Sequence, residues 1–207
     1  MKLEDLSPVT VILRGVPYET VRTVCSALKT SKAIKNVEIT MNTEGCLDCI
    51  RKISEEFKDD LFIGAGTVTT YDEAVAAIDA GAQFLLAPVV LSKEINDYAH
   101  SKGVLTVSGA LSPTEIWQAS KNGADVVKVF AITAICDSYF KDVRAPLGAI
   151  PFMAVGGVKK TNAKKLMEQG AEYLGMGGLF SKEVLKNNQL DEMIQVCREF
   201  ESDVLGI

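Results

Sequence analysis

Short apolar runs alternate with amphipathic segments from one end of the 207-residue chain to the other. Most runs are three to five residues long and rich in Val, Ile, Leu and Phe, a pattern typical of strands that are buried on both faces. The predicted strands cover residues 9–13, 36–39, 61–63, 84–87, 104–107, 126–130, 152–155 and 173–176.

The segments between these runs carry apolar residues at helical spacing. Several of them end in a glycine before the next strand, as at Gly81, Gly103, Gly123 and Gly170. The run from Ser112 to Glu115 has the order of a capping box with proline at the first helical position. The predicted helices cover residues 19–30, 46–57, 71–80, 92–101, 113–122, 138–143, 161–169 and 191–201.

About eight strand–helix units follow one another without a linker or low-complexity tract. This pattern predicts an α/β protein in which residues 1–207 form one domain, a (β/α)8 TIM barrel. The alternative is an open doubly wound sheet, which carries a glycine-rich fingerprint after its first strand. The chain reads Arg14-Gly15-Val16-Pro17 at that point, so the barrel is favoured.

Lys128 is a charged residue inside the sixth apolar run, flanked by Val127 and Val129. Lysine is rarely buried without a partner, and an apolar pocket lowers its pKa. The resulting neutral amine can attack a carbonyl group and form a Schiff base. Lys128 is therefore the candidate nucleophile. The alternative is a lysine at the strand end whose ammonium group reaches water.

Glu38 is a second charged residue in an apolar run, and a buried carboxylate either becomes neutral or acquires a partner. In a barrel, Glu38 and Lys128 would end two strands that face each other across the mouth. The pair would then act as proton-transferring acid/base and amine nucleophile. The alternative for Glu38 is a structural ion pair with Arg14.

Two glycine pairs, Gly156-Gly157 and Gly177-Gly178, follow the seventh and eighth predicted strands. Glycine lets backbone N–H groups approach an anion closely, and a following helix adds its positive dipole end. Barrels of this type bind phosphate at this position. We therefore predict a phosphate site, although each pair taken alone is also explained by a tight turn.

Three further polar residues follow the first three strands, on the face of a barrel where catalysis occurs. Arg14 offers a rigid fork of donors that suits a carboxylate or a hydroxyl-rich chain. Thr67 follows a glycine-rich segment, and its hydroxyl group suits a substrate carboxylate. Asn42 is neutral and shorter, which suits a hydroxyl group better than a charge.

Composition narrows the class of protein. Hydrophobic residues make up 47% of the chain and charged residues 24%, as in a soluble globular protein. The net charge of −5, without a basic stripe, argues against nucleic acid as a partner. No apolar run approaches a membrane span, and the acidic N-terminal segment does not look like a signal peptide. We expect a cytoplasmic protein that does not bind membranes.

The five cysteines are odd in number and scattered, which argues against a disulfide framework. Cys46 and Cys49 form a single CxxC without a nearby histidine, so we predict no metal site. His100, the only histidine, lies near the end of a predicted helix, where a cation is favourable. A Ser-His-Asp or Cys-His triad would need this residue, so we predict neither.

The strand ends resemble those of the 2-keto-3-deoxy-6-phosphogluconate (KDPG) aldolase family, which includes 4-hydroxy-2-oxoglutarate (KHG) aldolase. The resemblance covers nearly the whole chain and rests on residues 12–15, 37–40, 63–68, 86–88, 127–130, 154–158 and 176–178. It implies a class I aldolase, a lyase that forms a Schiff base with a keto acid. It also implies a homotrimer with no metal and no organic cofactor.

By this resemblance, Lys128 matches the Schiff-base lysine, Glu38 the general acid/base, and Thr67 a residue that holds the pyruvyl carboxylate. Pro88 and Phe130 match walls of the pocket, and the two glycine pairs match the phosphate-binding turns. The implied substrate is a 2-keto-3-deoxy-6-phospho sugar acid, cleaved to pyruvate and glyceraldehyde 3-phosphate. A second implied substrate is 4-hydroxy-2-oxoglutarate, cleaved to pyruvate and glyoxylate.

The chain departs from the phosphogluconate type at three positions. Asn42 stands in place of an arginine, a choice closer to the phosphogalactonate branch, and Leu179 replaces a serine near the phosphate. Ala131 replaces the proline that usually follows Phe130. These departures leave the stereochemistry of the sugar acid open.

Two other functions fit the same barrel. A phosphosugar isomerase or epimerase would not need Lys128 as a Schiff-base amine. A catalytically silent phosphosugar-binding protein would be consistent with Asn42, Ala131 and Leu179. The first is distinguished by activity that survives loss of Lys128, and the second by binding without turnover.

Overall fold

The computed structural model describes residues 2–207. Eight parallel strands close into a barrel in sequential order. The strands are β1 (Val9–Leu13), β2 (Asn36–Thr40), β3 (Phe62–Gly66), β4 (Phe84–Leu86), β5 (Leu105–Ala110), β6 (Val126–Val129), β7 (Phe152–Val155) and β8 (Tyr173–Met176). The helices are α1 (Tyr18–Lys29), α2 (Cys46–Phe57), α3 (Tyr71–Asp79), α4 (Lys93–Ser101), α5 (Pro113–Lys121), α6 (Tyr139–Leu147), α7 (Lys160–Glu168), α8 (Lys182–Lys186) and α9 (Leu190–Phe200).

The predicted barrel is confirmed, since β8 pairs with β1 and closes the sheet, and the open-sheet alternative is wrong. Strands β1, β7 and β8 have the predicted bounds, and the other strand bounds differ by up to three residues. Helix α6 runs beyond the predicted residues 138–143 because Pro146 lies in its last turn, where little of the helix remains to be broken. Helix α8 was not predicted, because five residues are too few to show helical periodicity.

Strand residues alternate between the inside of the barrel and the surrounding helices. In β2 the odd positions Val37 and Ile39 belong to the core beneath the helices, while Glu38 lies between them and faces inward. The same alternation in β6 sends Val127 and Val129 outward and Lys128 inward. Both charged residues are therefore inside the barrel because their neighbours bury apolar side chains on the other side.

Two apolar clusters stabilise this arrangement. The larger one fills the space between barrel and helices, and the smaller one fills the barrel interior. A short 3₁₀ helix (Leu3–Asp5) precedes β1, and its Leu3 packs against the interior cluster, to which Leu6 belongs. The interior cluster comprises Leu6, Phe84, Leu86, Leu105, Val107, Val126, Met153 and Val155. Because apolar side chains fill much of the barrel interior, we expect polar cavities at the carboxyl ends of the strands.

No helix within residues 2–207 has the length and apolar character needed to cross a bilayer.

Candidate active site

A cavity of about 440 Å³ opens among the carboxyl ends of the strands. Its wall brings together residues from β1, β2, β6, β7 and β8, which are distant along the chain. The lining residues are Ile12, Arg14, Glu38, Pro88, Lys128, Phe130, Val155, Gly156, Gly157, Val158, Lys159, Gly175, Gly177 and Gly178. Nine of the eleven site residues predicted from the sequence are in this wall, and the other two, Asn42 and Thr67, are not.

Lys128 projects into this cavity from β6 and is only 5% exposed. Burial lowers the pKa of its ammonium group, and the nearby charge of Arg14 lowers it further, while Glu38 acts in the opposite direction. Its Nζ atom lies 4.9 Å from the centre of the Phe130 ring. This burial is contrary to the alternative in which the ammonium group reaches water at a strand end.

Glu38 enters the cavity from β2 and is 1% exposed. Burial raises the pKa of its carboxyl group to about 7, against the opposing fields of Lys128 and Arg14. Its Oε2 atom has no hydrogen-bond partner among the described residues. A buried polar atom without a partner is rare in folded proteins, and here it lies in a cavity that can admit a ligand.

Burial thus moves the two pKa values in opposite directions, and each move favours the neutral form. A lysine with a lowered pKa is a better nucleophile, and a carboxyl group with a pKa near 7 can both accept and donate a proton at neutral pH. Perturbed titratable groups that share a cavity are typical of active sites.

Gly66 explains how the carboxyl group of Glu38 reaches its position. A Cβ atom on Gly66 would overlap that carboxyl group, so only glycine leaves room there. Gly66 ends β3, beside Thr40 of β2 in the register of the barrel. A residue on the neighbouring strand therefore positions the candidate acid/base group.

Arg14 follows β1 and is held by two acceptors from the segments after β2 and β3. Its Nη1 donates to Oδ1 of Asn42 at 3.0 Å, and its Nη2 donates to Oγ1 of Thr67 at 3.2 Å. The ion pair between Arg14 and Glu38, the structural alternative for Glu38, does not form in residues 2–207. Asn42 and Thr67 thus fix the guanidinium group, and direct contact of either with a substrate stays a prediction.

Thr67 also has an unusual backbone. Its φ angle is 59°, in the left-handed region that β-branched residues seldom adopt. Such strain persists only where the surrounding structure imposes it, and it is concentrated at ligand sites. The hydrogen bond from Arg14 connects Thr67 to a residue that lines the cavity.

The two predicted glycine pairs both line the cavity. Gly156 and Gly157 have φ angles of 91° and 82°, so the turn after β7 requires glycine for its backbone alone. Gly178 lies in open space, where a Cβ atom would contact nothing within 4 Å. The turn after β8 therefore has no steric need for glycine, and its role in binding phosphate stays a prediction.

Lys159 is a cavity residue that we did not predict from the sequence. It follows the Gly156-Gly157 pair by two residues, and that spacing is the signal that identifies it afterwards. Ile12 and Val155 also line the cavity. These two follow from strand alternation once the barrel is known, because each is the inward residue nearest a strand end.

The cysteines and His100 are not part of the cavity wall. Cys46 and Cys49 lie in α2 as buried free thiols. His100 lies in α4, where its Nε2 atom is 2.9 Å from a carboxylate oxygen of Asp125. The described residues contain no group of three or more His, Cys, Asp and Glu side chains arranged to hold a metal ion.

Comparison with known proteins identifies the family of the chain. Residues 2–196 match the family model described as KDPG and KHG aldolase. The 2-dehydro-3-deoxy-6-phosphogalactonate aldolase of Escherichia coli (strain K12) is 30% identical over 179 residues, which are 86% of each chain. The 2-dehydro-3-deoxy-phosphogluconate aldolase of Treponema pallidum (strain Nichols) is 31% identical over 156 residues, 72% of this chain and 73% of the relative.

Comparison with solved structures finds proteins with the same fold. A solved structure described as native KDPGal superposes with a TM-score of 0.85 over the full length of both chains, at 24% identity. At that identity the superposition supports the barrel itself, and the family assignment rests on the sequence matches. The chain belongs to the KDPG and KHG aldolase family.

Proposed function

We propose that the protein is a class I aldolase that cleaves a 2-keto-3-deoxy-6-phospho sugar acid to pyruvate and glyceraldehyde 3-phosphate. The observation that carries the proposal is the buried pair of Lys128 and Glu38 inside one cavity, with both pKa values moved toward neutral forms. The names of the relatives in both branches support the same reaction class.

In the proposed reaction, Nζ of Lys128 adds to the C2 carbonyl carbon of the substrate. The carbinolamine loses water with the help of Glu38 and becomes an iminium ion. Glu38, as a carboxylate, then takes the proton of the C4 hydroxyl group, directly or through water. The C3–C4 bond breaks, its electrons pass to the iminium ion, and glyceraldehyde 3-phosphate leaves. Protonation of the enamine at C3 and hydrolysis release pyruvate and free Lys128.

The remaining cavity residues bind and orient the substrate. Arg14, held by Asn42 and Thr67, presents its charge near the reacting centre and suits the carboxylate of the keto acid. Phe130 and Pro88 form walls, and the two glycine turns suit the phosphate group. Binding at both ends of the substrate would place C2 beside the amine of Lys128.

The first experiment is borohydride trapping of the protein with pyruvate, followed by intact and peptide mass spectrometry. A stable adduct on Lys128, absent in Lys128→Met, is the expected result. Absence of an adduct on any lysine would refute the Schiff-base mechanism and favour an isomerase, an epimerase or a silent binding protein.

Substrate stereochemistry is decided by a second assay. Relatives with phosphogalactonate and phosphogluconate names match this chain at 30% and 31% identity, so identity alone does not separate the branches. Arg14 paired with Asn42 supports the phosphogalactonate branch, and we expect kcat/KM to be higher for that substrate. Pyruvate release from both sugar acids and from 4-hydroxy-2-oxoglutarate, measured in parallel, checks this expectation.

The assembly and location belong to the same proposal. The family resemblance supports a homotrimer, which light scattering after size-exclusion chromatography would detect as a mass three times that of the 22.3 kDa chain. The five free thiols support a reducing compartment such as the cytoplasm.

A further inference from the structure

The cavity wall contains more basic than acidic residues. Arg14, Lys128 and Lys159 are basic and line it, while Glu38 is the one acidic residue in its wall, with a pKa raised to about 7. The cavity therefore favours an anionic ligand. In the proposed reaction Lys128 adds to the carbonyl carbon, and Arg14, held by Asn42 and Thr67, binds the carboxylate, which leaves the role of Lys159 unexplained.

The backbone that carries Lys159 is held at the cavity rim. Asn162 of α7 accepts a hydrogen bond from the Lys159 N–H at 2.8 Å and donates one to the carbonyl of Gly157 at 3.0 Å. A Cβ atom on Gly157 would overlap the side chain of Thr133, so the loop after β6 packs directly on this turn. The backbone of Lys159 is thus held by Asn162, and the turn before it is packed against Thr133.

The side chain of Lys159 is exposed, and its charge is not neutralised by a carboxylate within residues 2–207. The next residue, Lys160, shows the contrast: its Nζ lies 3.0 Å from Glu199 and 2.7 Å from Asp203. Lys160 therefore pairs α7 with α9 and with residues 201–205 that follow it, whereas the charge of Lys159 remains available to a ligand.

The turn after β8 offers no such charge. Its residues Gly177, Gly178 and Leu179 have no side-chain donor, so backbone N–H groups are all it can contribute. Strand β8 separates β1 from β7, so Arg14 and Lys159 lie on opposite sides of it. A ligand with an anionic group at each end would meet one cation at each end.

We propose that Lys159 binds the phosphate group of the substrate and selects phosphorylated over unphosphorylated sugar acids. This inference rests on the proposed aldolase function for the identity of the phosphate group, whereas the preference for an anionic group follows from the basic residues that line the cavity. Lys159 makes no contact with the reacting carbon in this scheme, so it determines specificity and does not take part in the chemical step.

Steady-state kinetics of Lys159→Ala, Lys159→Arg and the control Lys164→Ala test the proposal. Lys164 lies on α7, the helix that Lys159 precedes, is exposed and carries the same charge. For the phosphorylated substrate, KM should rise about tenfold in Lys159→Ala, the typical loss of one exposed charge-assisted hydrogen bond, with kcat nearly unchanged. Lys159→Arg should restore most of the affinity, and Lys164→Ala should behave as wild type.

The same variants assayed with the unphosphorylated sugar acid separate phosphate binding from a structural role. Lys159→Ala should leave KM for that substrate unchanged. An equal rise for both substrates, or no rise for the phosphorylated one, would overturn the proposal.

Binding of inorganic phosphate, followed by ³¹P NMR titration at constant ionic strength, distinguishes the two possible failures. Weaker binding in Lys159→Ala than in Lys164→Ala supports the phosphate contact even if no Schiff base is trapped. Unchanged phosphate binding in a protein that traps pyruvate on Lys128 would refute the role of Lys159 and leave the aldolase function intact.

Discussion

Glu38→Gln should abolish aldol cleavage and, at neutral and alkaline pH, make the protein more stable. The carboxyl group of Glu38 is buried with an unpaired Oε2 atom, so its ionised form is unfavourable in the folded state. Glutamine has nearly the same shape and cannot ionise. The substitution therefore removes the cost of a buried charge together with the proton transfer that the charge permits.

The magnitude follows from the pKa. In the folded protein the pKa of Glu38 is about 7, against 4.5 for an ordinary glutamate, and each pH unit of difference is worth about 1.4 kcal/mol. Between these pH values the folded state holds a proton that the unfolded state has lost. The contribution of Glu38 to the unfolding free energy therefore falls as pH rises from 4.5 to about 7 and is constant above about 7. The full effect is roughly 3 kcal/mol.

Urea unfolding of wild type and Glu38→Gln at pH 5.5 and pH 8 would measure this difference. Both pH values lie above the pI of about 5.1, where solubility is least. The stability gain of the variant over wild type should grow by roughly 2 kcal/mol between the two pH values. Loss of the Glu38 field also lowers the pKa of Lys128 further, a change whose effect on stability has the same sign.

Glu44→Gln is the matched control, because Glu44 is an exposed carboxylate on the loop before α2. Its stability should follow that of wild type at both pH values. Parallel pH dependence in wild type and Glu38→Gln would contradict the reasoning, since it would mean that Glu38 has no raised pKa in the folded protein.

Three further outcomes are expected. Gly66→Ala should lower kcat by about 100-fold and largely retain pyruvate binding, because the added Cβ atom would displace the carboxyl group of Glu38. An unchanged kcat would contradict this prediction. In wild type, kcat/KM should rise with pH through about 7 as Glu38 becomes a carboxylate, and a pH–rate profile without this limb would exclude Glu38 as the base. Glu201→Ala should reduce the unfolding free energy by about 3 kcal/mol in urea titration without changing kcat at a temperature where the variant is folded. Its carboxylate accepts three hydrogen bonds from residues 31–33, before β2 and at the opposite end of the barrel from the cavity.

Local sequence determined the elements of the fold. Apolar runs such as those of β1, β7 and β8 predicted strands with the observed bounds, because burial on both faces leaves a continuous hydrophobic signal. Glycines after helices and strands marked the ends of elements, since they supply backbone conformations that other residues adopt at a cost. Where the signal is short, as in α8, the sequence predicted nothing.

The sequence also singled out Lys128 and Glu38, because a charge inside an apolar run is unusual whatever the fold. It did not establish that the two would share one cavity, since β2 and β6 meet across the barrel only when the sheet closes. The raised pKa of Glu38 likewise depends on the apolar surroundings that closure creates.

Tertiary structure alone decided the contacts between distant segments. The hydrogen bonds from Arg14 to Asn42 and Thr67 join residues 28 and 53 positions apart, so no local pattern reports them. The space that Gly66 leaves for Glu38 depends on the register of β2 and β3. Lys159 is one of many lysines in the sequence, and only the position of the turn after β7 at the cavity rim identifies it as a candidate phosphate-binding residue. Hydrophobic periodicity reports which face of an element is buried, whereas the partners of each side chain are set by how the elements close on one another.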